Sequence, residues 1–296
     1  MEVINNFKDF KPLDFQKHAG IYKDTRERVI YKKKDGVVRL YDEDNVIKKT
    51  GNNIEYLQKL SSLNIKGVNS PNKICINGKI PGYYYIVSKY LKDAIELEYF
   101  ERKTKSFEEI LIIFIKLLEI LEECHDNDFY LYDIHSGNVL VNSNLEPCFF
   151  DFDNSLFISE NKTIFESKSS SFSDCMRYNE TRECFTRCFG PLDGLESFYN
   201  SNASILTNFF QQFDKEYLLK MLLDMMYVRM GYDINAYCDL DKNDIKKLGI
   251  SRAFRNKLIN VFVNGEPFDE KEYFIDELKE MQGSRLVRKL RRWQFL

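Results

Sequence analysis

The sequence predicts an α+β fold, in which a small antiparallel sheet with one helix precedes a larger, mainly helical region. Residues 28–49 contain β-prone runs separated by turn residues, a pattern typical of antiparallel strands. Residues 107–124, and stretches around 205–230 and 252–263, carry apolar side chains at helical spacing. The 296 residues are 44% hydrophobic and 30% charged, which is enough for a substantial core and a soluble surface.

Charge and composition exclude several classes of protein. The 43 Lys and Arg residues are balanced by 46 Asp and Glu residues, so the chain has no general basic field and we expect no nucleic-acid partner. The longest apolar run, residues 110–120, falls short of the roughly 20 residues that a membrane span needs. The amino terminus lacks a signal peptide pattern, and the seven cysteines form no disulfide framework, so we expect a cytoplasmic protein. No feature of the sequence predicts an oligomeric state.

The first 90 residues are predicted to form the small lobe. Three strands precede a helix in which Ile54, Leu57, Leu60 and Leu63 share one face. Turn residues at 69–71 and 77–82 mark two further strands, the second at 83–90.

Residues 91–296 are predicted to form the second, helical lobe. Within it, residues 155–200 are polar and lack periodicity, so we expect a long loop there. The basic stretch 284–296 is predicted to be a solvated helical or frayed end.

The strongest chemical signal is a set of oxygen-bearing side chains beside two short apolar runs. Residues 139–141 and 148–150 predict the strands of a hairpin, and Asp133, Asn138 and Asp151 fall at the strand ends. Burial of oxygen-bearing side chains costs free energy unless a cation or a hydrogen bond compensates for the lost water, and Mg²⁺ prefers oxygen ligands. The pattern therefore predicts a site for magnesium and phosphate.

This pattern resembles the catalytic loop of the protein kinase-like superfamily. Asn138 follows Asp133 by five residues, Asp151 follows Asn138 by thirteen, and His125 precedes Asp133 by eight, as in many kinases. The resemblance implies a bilobal kinase-like fold that uses ATP and Mg²⁺. It implies that Asp133 orients the acceptor hydroxyl and takes its proton, and that Asn138 and Asp151 hold Mg²⁺.

The same resemblance assigns nucleotide-binding positions in the small lobe. Lys48 is the expected phosphate-contacting and catalytic lysine, with Val46 on the same strand face. Glu55 is the candidate ion-pair partner of Lys48, although the separation of seven residues is short for the family. Gly36 stands where a glycine-rich loop is expected, and Lys89 and Leu91 offer backbone groups to adenine.

Several residues depart from the family pattern. The glycine-rich loop is reduced to Gly36. Either Gly36 and neighbouring lysine side chains approach the phosphates, or nucleotide binding is weakened. Tyr132 replaces the usual arginine before Asp133, which makes regulation by loop phosphorylation doubtful. His135 replaces the usual lysine and Asp153 the usual glycine, as in aminoglycoside- and choline-type kinases; Asp153 either assists the metal or caps a turn.

The resemblance favours an ATP- and Mg²⁺-dependent protein serine/threonine kinase with a protein substrate. Three alternatives stay open: a small-molecule kinase of the aminoglycoside or choline type, a nucleotide-binding pseudokinase, and a nucleotidyl transferase on the same fold. The helix expected to begin at Asp214 would anchor the catalytic loop, as it does in the family.

Overall fold

The chain folds into helices and antiparallel strands, which confirms the predicted α+β class. The structure is a computed structural model. It describes residues 11–12, 30–33, 36–42, 53–75, 83–89, 91, 93–104, 106–152, 155–159, 162–165, 203–236, 240–269 and 271–287. None of the helices in these ranges has the length and apolar character that a membrane span requires.

The first sheet contains five antiparallel strands in the order β1-β2-β3-β5-β4. Their bounds are β1 Lys11–Pro12, β2 Ile30–Lys33, β3 Gly36–Asp42, β4 Pro71–Cys75 and β5 Tyr83–Lys89. Of the three strands predicted within 28–49, β2 and β3 confirm the first two, and the third, at 46–49, lies outside the described residues. Strand β5 confirms the one predicted at 83–90. Proline is tolerated at the first position of β4 because this strand lies at the sheet edge.

Helix α1, Asn53–Ser62, confirms the predicted helix of the first region. Tyr56 and Leu60 lie one turn apart and are buried. After α1 the chain turns at Gly67, whose φ of +97° is left-handed and whose carbonyl accepts from Phe149 N–H at 2.8 Å. A Cβ at Gly67 would collide with the side chain of Ile120, so the close approach requires glycine.

Helices α2, Leu97–Lys103, and α3, Phe107–Asp126, open the second region. Helix α3 confirms the prediction for 107–124, and most of its apolar side chains are buried. Lys116, which with Glu119 interrupts the apolar run at 110–120, donates from Nζ to the Leu145 carbonyl at 2.8 Å.

Two small antiparallel sheets follow, with strand orders β6-β8-β9 and β11-β10-β7. Their strands are β6 Ile95–Glu96, β7 Phe129–Tyr130, β8 Val139–Val141, β9 Pro147–Phe149, β10 Leu156–Ser159 and β11 Lys162–Phe165. The pairing of β8 with β9 confirms the predicted hairpin. The prediction of a loop over 155–200 is wrong at its start, because the apolar run 156–158 is buried as β10 and pairs with β11. Residues 166–200 lie outside the described residues.

The longest described helix is α4, Ala203–Arg229. Periodicity predicted it correctly, but the start that the resemblance placed at Asp214 is wrong. Buried apolar residues continue upstream through Phe210 and Leu206 at helical spacing, so the helix begins at Ala203 and Asp214 lies near its middle.

Three further helices are described after α4: α5 Lys242–Lys247, α6 Arg252–Phe262 and α7 Ile275–Met281. The predicted helix at 252–263 is confirmed. Helix α7 begins directly after Phe274, whose left-handed φ of 58° stops the helix from extending upstream. Gln212 of α4 fixes the intervening segment by bonding both backbone groups of Phe268, at 2.7 and 2.8 Å.

One buried cluster joins α1 to the helices of the second region, with Tyr56 and Leu60 in contact with the same core as α3 and α4. The division into lobes at residue 90 stays a prediction. Of the predicted basic end, residues 288–296 lie outside the described residues.

Candidate active site

Residues 131–138 form a loop that is held by its own hydrogen bonds. Asp133 N–H donates to the Leu131 carbonyl at 2.7 Å, and the Asp133 carbonyl accepts from Nδ2 of Asn138 at 3.0 Å. Asn138 is buried at the end of the 3₁₀ turn Ser136–Asn138, whereas the Asp133 side chain is 41% exposed. The predicted base is therefore joined to the predicted metal ligand and is still accessible to solvent.

Asp151 is brought to this loop by the hairpin. Phe150 N–H donates to the Asn138 carbonyl at 3.1 Å, so Asp151, the next residue, starts beside Asn138. Asp151 has a left-handed φ of 62°, which costs a non-glycine residue on the order of 1 kcal/mol. The structure thus brings together the backbone positions of the three residues singled out by spacing.

Asp214 of α4 anchors the loop through hydrogen bonds to its backbone. It is fully buried, and its Oδ2 accepts from Leu131 N–H at 2.9 Å while its Oδ1 accepts from Tyr132 N–H at 2.7 Å. Nε2 of His125 lies 3.0 Å from the same Oδ2. The expected contact between the α4 acid and the catalytic loop is therefore present, because three donors converge on one buried carboxylate.

His125 lies at the end of α3 and is fully buried within this network. Its Nδ1 lies 2.8 Å from the Tyr273 hydroxyl. Burial lowers the pKa of His125, against the opposing effect of the hydrogen bond to Asp214. The ionisable groups that face the imidazole are Asp214, Lys215, Asp126, Tyr130 and Tyr273.

Tyr132 provides an aromatic contact at the position where many kinases have arginine. Its φ of 60° is left-handed, and its ring lies 4.9 Å from that of Phe213 and 5.6 Å from that of Phe210. The strained backbone is held in part by this packing and in part by the bond to Asp214. The Tyr132 side chain therefore helps to hold the loop by ring packing, while its backbone N–H bonds the Asp214 carboxylate.

His135 faces the candidate base. Its Nδ1 accepts from Gly137 N–H at 3.1 Å, which leaves Nε2 to carry the proton, and Nε2 lies 3.9 Å from Oδ1 of Asp133. The side chain therefore caps the 3₁₀ turn and turns a donor toward the carboxylate.

Helix α1 is tied to the segment that follows Asp151. The Tyr56 hydroxyl donates to the Phe152 carbonyl at 3.1 Å and also contacts Oγ of Ser155. The Tyr56 ring lies 5.5 Å from that of Phe157. The helix that carries Glu55 is thus attached to the Asp151 segment by a buried polar contact.

The remaining predicted nucleotide-binding residues are only partly described. Lys48 and Val46 lie outside the described residues, and of Glu55 only the backbone position in α1 is described. Gly36 and Lys89 are direct partners across β3 and β5.

The positions predicted to offer backbone groups to adenine are Lys89, the last residue of β5, and Leu91 just beyond it. The Lys89 carbonyl accepts from Nδ2 of Asn69 at 3.1 Å, and its side chain is exposed. Leu91 is half-buried, and its carbonyl accepts from Ala94 N–H at 3.4 Å.

The donor set fits Mg²⁺ by its chemistry. Asn138 and Asp151 supply an amide and a carboxylate oxygen, and Mg²⁺ commonly binds one or two protein oxygens together with substrate phosphates. Since Nδ2 of Asn138 is used by Asp133, the amide oxygen is the atom left for a cation. In the described part of the chain no group of three or more His, Cys, Asp or Glu gathers as a metal site.

Two contributors to the site were missed by the sequence analysis. Tyr273 reaches His125 across 148 residues of sequence, and Tyr56 reaches the Asp151 segment across 96. Neither belongs to a motif, and a buried tyrosine at helical spacing carries no signal that separates a hydrogen-bonded hydroxyl from ordinary packing.

Comparison with models of known protein families gave no match, and no curated protein matches the sequence.

Proposed function

We propose that the protein is an ATP- and Mg²⁺-dependent phosphotransferase with a bilobal protein kinase-like fold, and that it acts as a serine/threonine kinase on a protein substrate. One observation carries the proposal. Asp133 and Asn138 are bonded through Nδ2, and Phe150 N–H links Asn138 to the residue before Asp151. These are the residues that the kinase-like spacing singled out.

The chemistry follows from the exposure of Asp133. The acceptor hydroxyl oxygen attacks the γ-phosphorus, the bond to the β–γ bridging oxygen breaks, ADP leaves, and the hydroxyl proton passes to the Asp133 carboxylate. The bond from Asn138 to the Asp133 carbonyl fixes the base, and Asp214 fixes the two residues before it. Mg²⁺ held by Asn138 and Asp151 would neutralise the charge on the phosphate oxygens.

A second candidate, transfer to a small-molecule hydroxyl, is favoured by His135. Protein kinases usually place lysine two residues after the catalytic aspartate, whereas here an imidazole faces Asp133 at 3.9 Å. The two candidates share every step except the identity of the acceptor.

The test is transfer from [γ-³²P]ATP with Mg²⁺ in a mixed lysate, with label counted separately in precipitated protein and in soluble metabolites. We expect wild type to label protein and Asp133→Ala to lose transfer by at least about 100-fold, as expected for loss of a general base. The matched control is Asp233→Ala, which removes an exposed carboxylate outside the site and should retain full transfer.

Each other outcome has a defined meaning. Label in the soluble fraction that depends on Asp133 would establish the small-molecule kinase. Label from [α-³²P]ATP in the acceptor would indicate nucleotidyl transfer. Transfer retained by Asp133→Ala would refute the mechanism, and ATP binding without any transfer in wild type would indicate a pseudokinase.

A further inference from the structure

We infer that Tyr273 is a positioning residue for phosphoryl transfer, which acts on the catalytic loop through His125 and Asp214. The inference rests on the proposed function. It assigns a role to a residue just before α7 that belongs to no motif and touches none of the proposed reacting groups.

The contacts form one continuous chain of short hydrogen bonds. The Tyr273 hydroxyl lies 2.8 Å from Nδ1 of His125, and Nε2 of His125 lies 3.0 Å from Oδ2 of Asp214. The two carboxylate oxygens then accept from the backbone of Leu131 and Tyr132, which directly precede Asp133. The three side chains in this chain are buried, so water does not compete for the bonds.

The direction of the bonds follows from the chemistry of the groups. A carboxylate only accepts, so Nε2 of His125 carries the proton that it donates to Asp214. A neutral imidazole then has an acceptor at Nδ1, and the Tyr273 hydroxyl donates to it. Asp214 therefore fixes the tautomer of His125, and the Tyr273 hydroxyl supplies the donor that its buried Nδ1 needs.

Burial favours the protonation states that this arrangement needs. It raises the pKa of the Tyr273 hydroxyl, which keeps the phenol protonated and able to donate. It lowers the pKa of His125, which keeps the imidazole neutral.

The ring of Tyr273 is itself held in place from α4. Nζ of Lys215 lies 4.3 Å from the ring centroid and donates to the Asp269 carbonyl at 3.0 Å. Phenylalanine at position 273 would keep the ring and its contact with Lys215 and would lose only the hydroxyl. The substitution therefore separates the hydrogen bond from the packing.

Without the hydroxyl, Nδ1 of His125 is a buried acceptor that has lost its donor. The imidazole is then held less firmly, and its bond from Nε2 to Asp214 weakens. Because the same Oδ2 holds Leu131 N–H, the loop before Asp133 becomes less ordered. Displacement of a base by a fraction of an ångström costs rate more than it costs ATP binding.

The experiment compares Tyr273→Phe with Tyr227→Phe. Tyr227 is also buried, near the end of α4, but its hydroxyl has no hydrogen-bond partner among the described residues, so its removal is the matched control. We expect Tyr273→Phe to lower kcat about tenfold while KM for ATP changes less than about twofold. Amide hydrogen exchange at Leu131 and Tyr132 should become faster in Tyr273→Phe and stay unchanged in Tyr227→Phe.

A third measurement needs no variant. The chain has only three histidines, so ¹⁵N NMR of the imidazoles can be assigned, and wild-type His125 should be protonated at Nε2 and not at Nδ1. The opposite tautomer would overturn the inference, as would equal kcat for the two variants or unchanged exchange in Tyr273→Phe. An active wild type with any of these results refutes the inference and leaves the proposed function intact, whereas a wild type without phosphotransfer overturns both.

Discussion

Asparagine at position 214 would keep the shape of the side chain while it exchanges one acceptor oxygen for a donor. Asp214 accepts from Leu131, Tyr132 and His125 with its two oxygens. In the less costly orientation, the amide oxygen keeps the Leu131 and His125 bonds and the NH₂ group opposes Tyr132 N–H across 2.7 Å. The reverse orientation sets the NH₂ group against two donors.

The magnitude follows from this count of bonds. A hydrogen bond to a charged group contributes about 1.5–3 kcal/mol, and a buried donor without an acceptor costs about 1–3 kcal/mol. The best orientation loses one such bond, leaves one backbone N–H unpaired and weakens the other two bonds by removing the charge. We therefore expect Asp214→Asn to lower the free energy of unfolding by about 3 kcal/mol.

The assay is urea unfolding followed by circular dichroism, with Asp224→Asn as the matched control. Asp224 lies on the same helix and accepts from Ala236 N–H at 3.3 Å, which an amide oxygen can also do. The free energy of unfolding of the control should fall by less than about 0.5 kcal/mol, as is usual for substitutions outside cores, caps and buried hydrogen-bond networks. A loss below about 1 kcal/mol for Asp214→Asn, or an equal loss for both variants, would refute the role of Asp214 as the anchor of the loop.

Three further results are expected. Tyr56→Phe removes one buried hydrogen bond to the Phe152 carbonyl, which keeps Ser155 N–H and Oγ as donors, and should lower the free energy of unfolding by about 0.5–1.5 kcal/mol in the same assay. Gly67→Ala combines left-handed strain with a collision against α3 and should cost about 1–3 kcal/mol more than Gly231→Ala, where the φ is also positive but the space is open. The pKa of His125 is lowered by folding, so the unfolded chain binds more protons below pH about 6.5. Urea titrations at pH 7 and 5.5 should therefore show a loss of up to about 1 kcal/mol on acidification, which His125→Gln should remove; an equal loss in that variant would contradict the assignment.

The parts of the fold that the sequence predicted are those with a strong local signal. Helix α3 has a long apolar run at helical spacing, and the β8–β9 hairpin has two apolar runs around turn residues. The β10–β11 hairpin was missed because its short apolar run stands at the start of a long polar stretch, whose composition dominated the interpretation. Periodicity predicted the start of α4 correctly, whereas the resemblance placed it too late. The resemblance identifies Asp214 by its place in a motif, and a motif residue need not lie at the end of its helix.

The candidate site shows the same distinction. Asp133, Asn138 and Asp151 lie within 19 residues of one another along the chain, so the hairpin between them brings them together and spacing alone could identify them. Tyr273 and Asp214 lie 148 and 89 residues from His125, and only the packing of helices brings these side chains into contact. No spacing in the sequence relates such residues, because the distance between them depends on every element that lies between.

The distance along the chain also sets when the loop can be completed during synthesis. Residues are added at about 5–20 per second, so Tyr273 is made on the order of 10 s after Asp133. Until Asp214 is made, the Leu131 and Tyr132 amides lack their acceptor. Until Tyr273 is made, His125 lacks the hydroxyl that contacts its Nδ1. A nascent chain thus carries all the residues of the 131–151 motif well before it can hold them in place, and during that time the segment is open to chaperones and proteases.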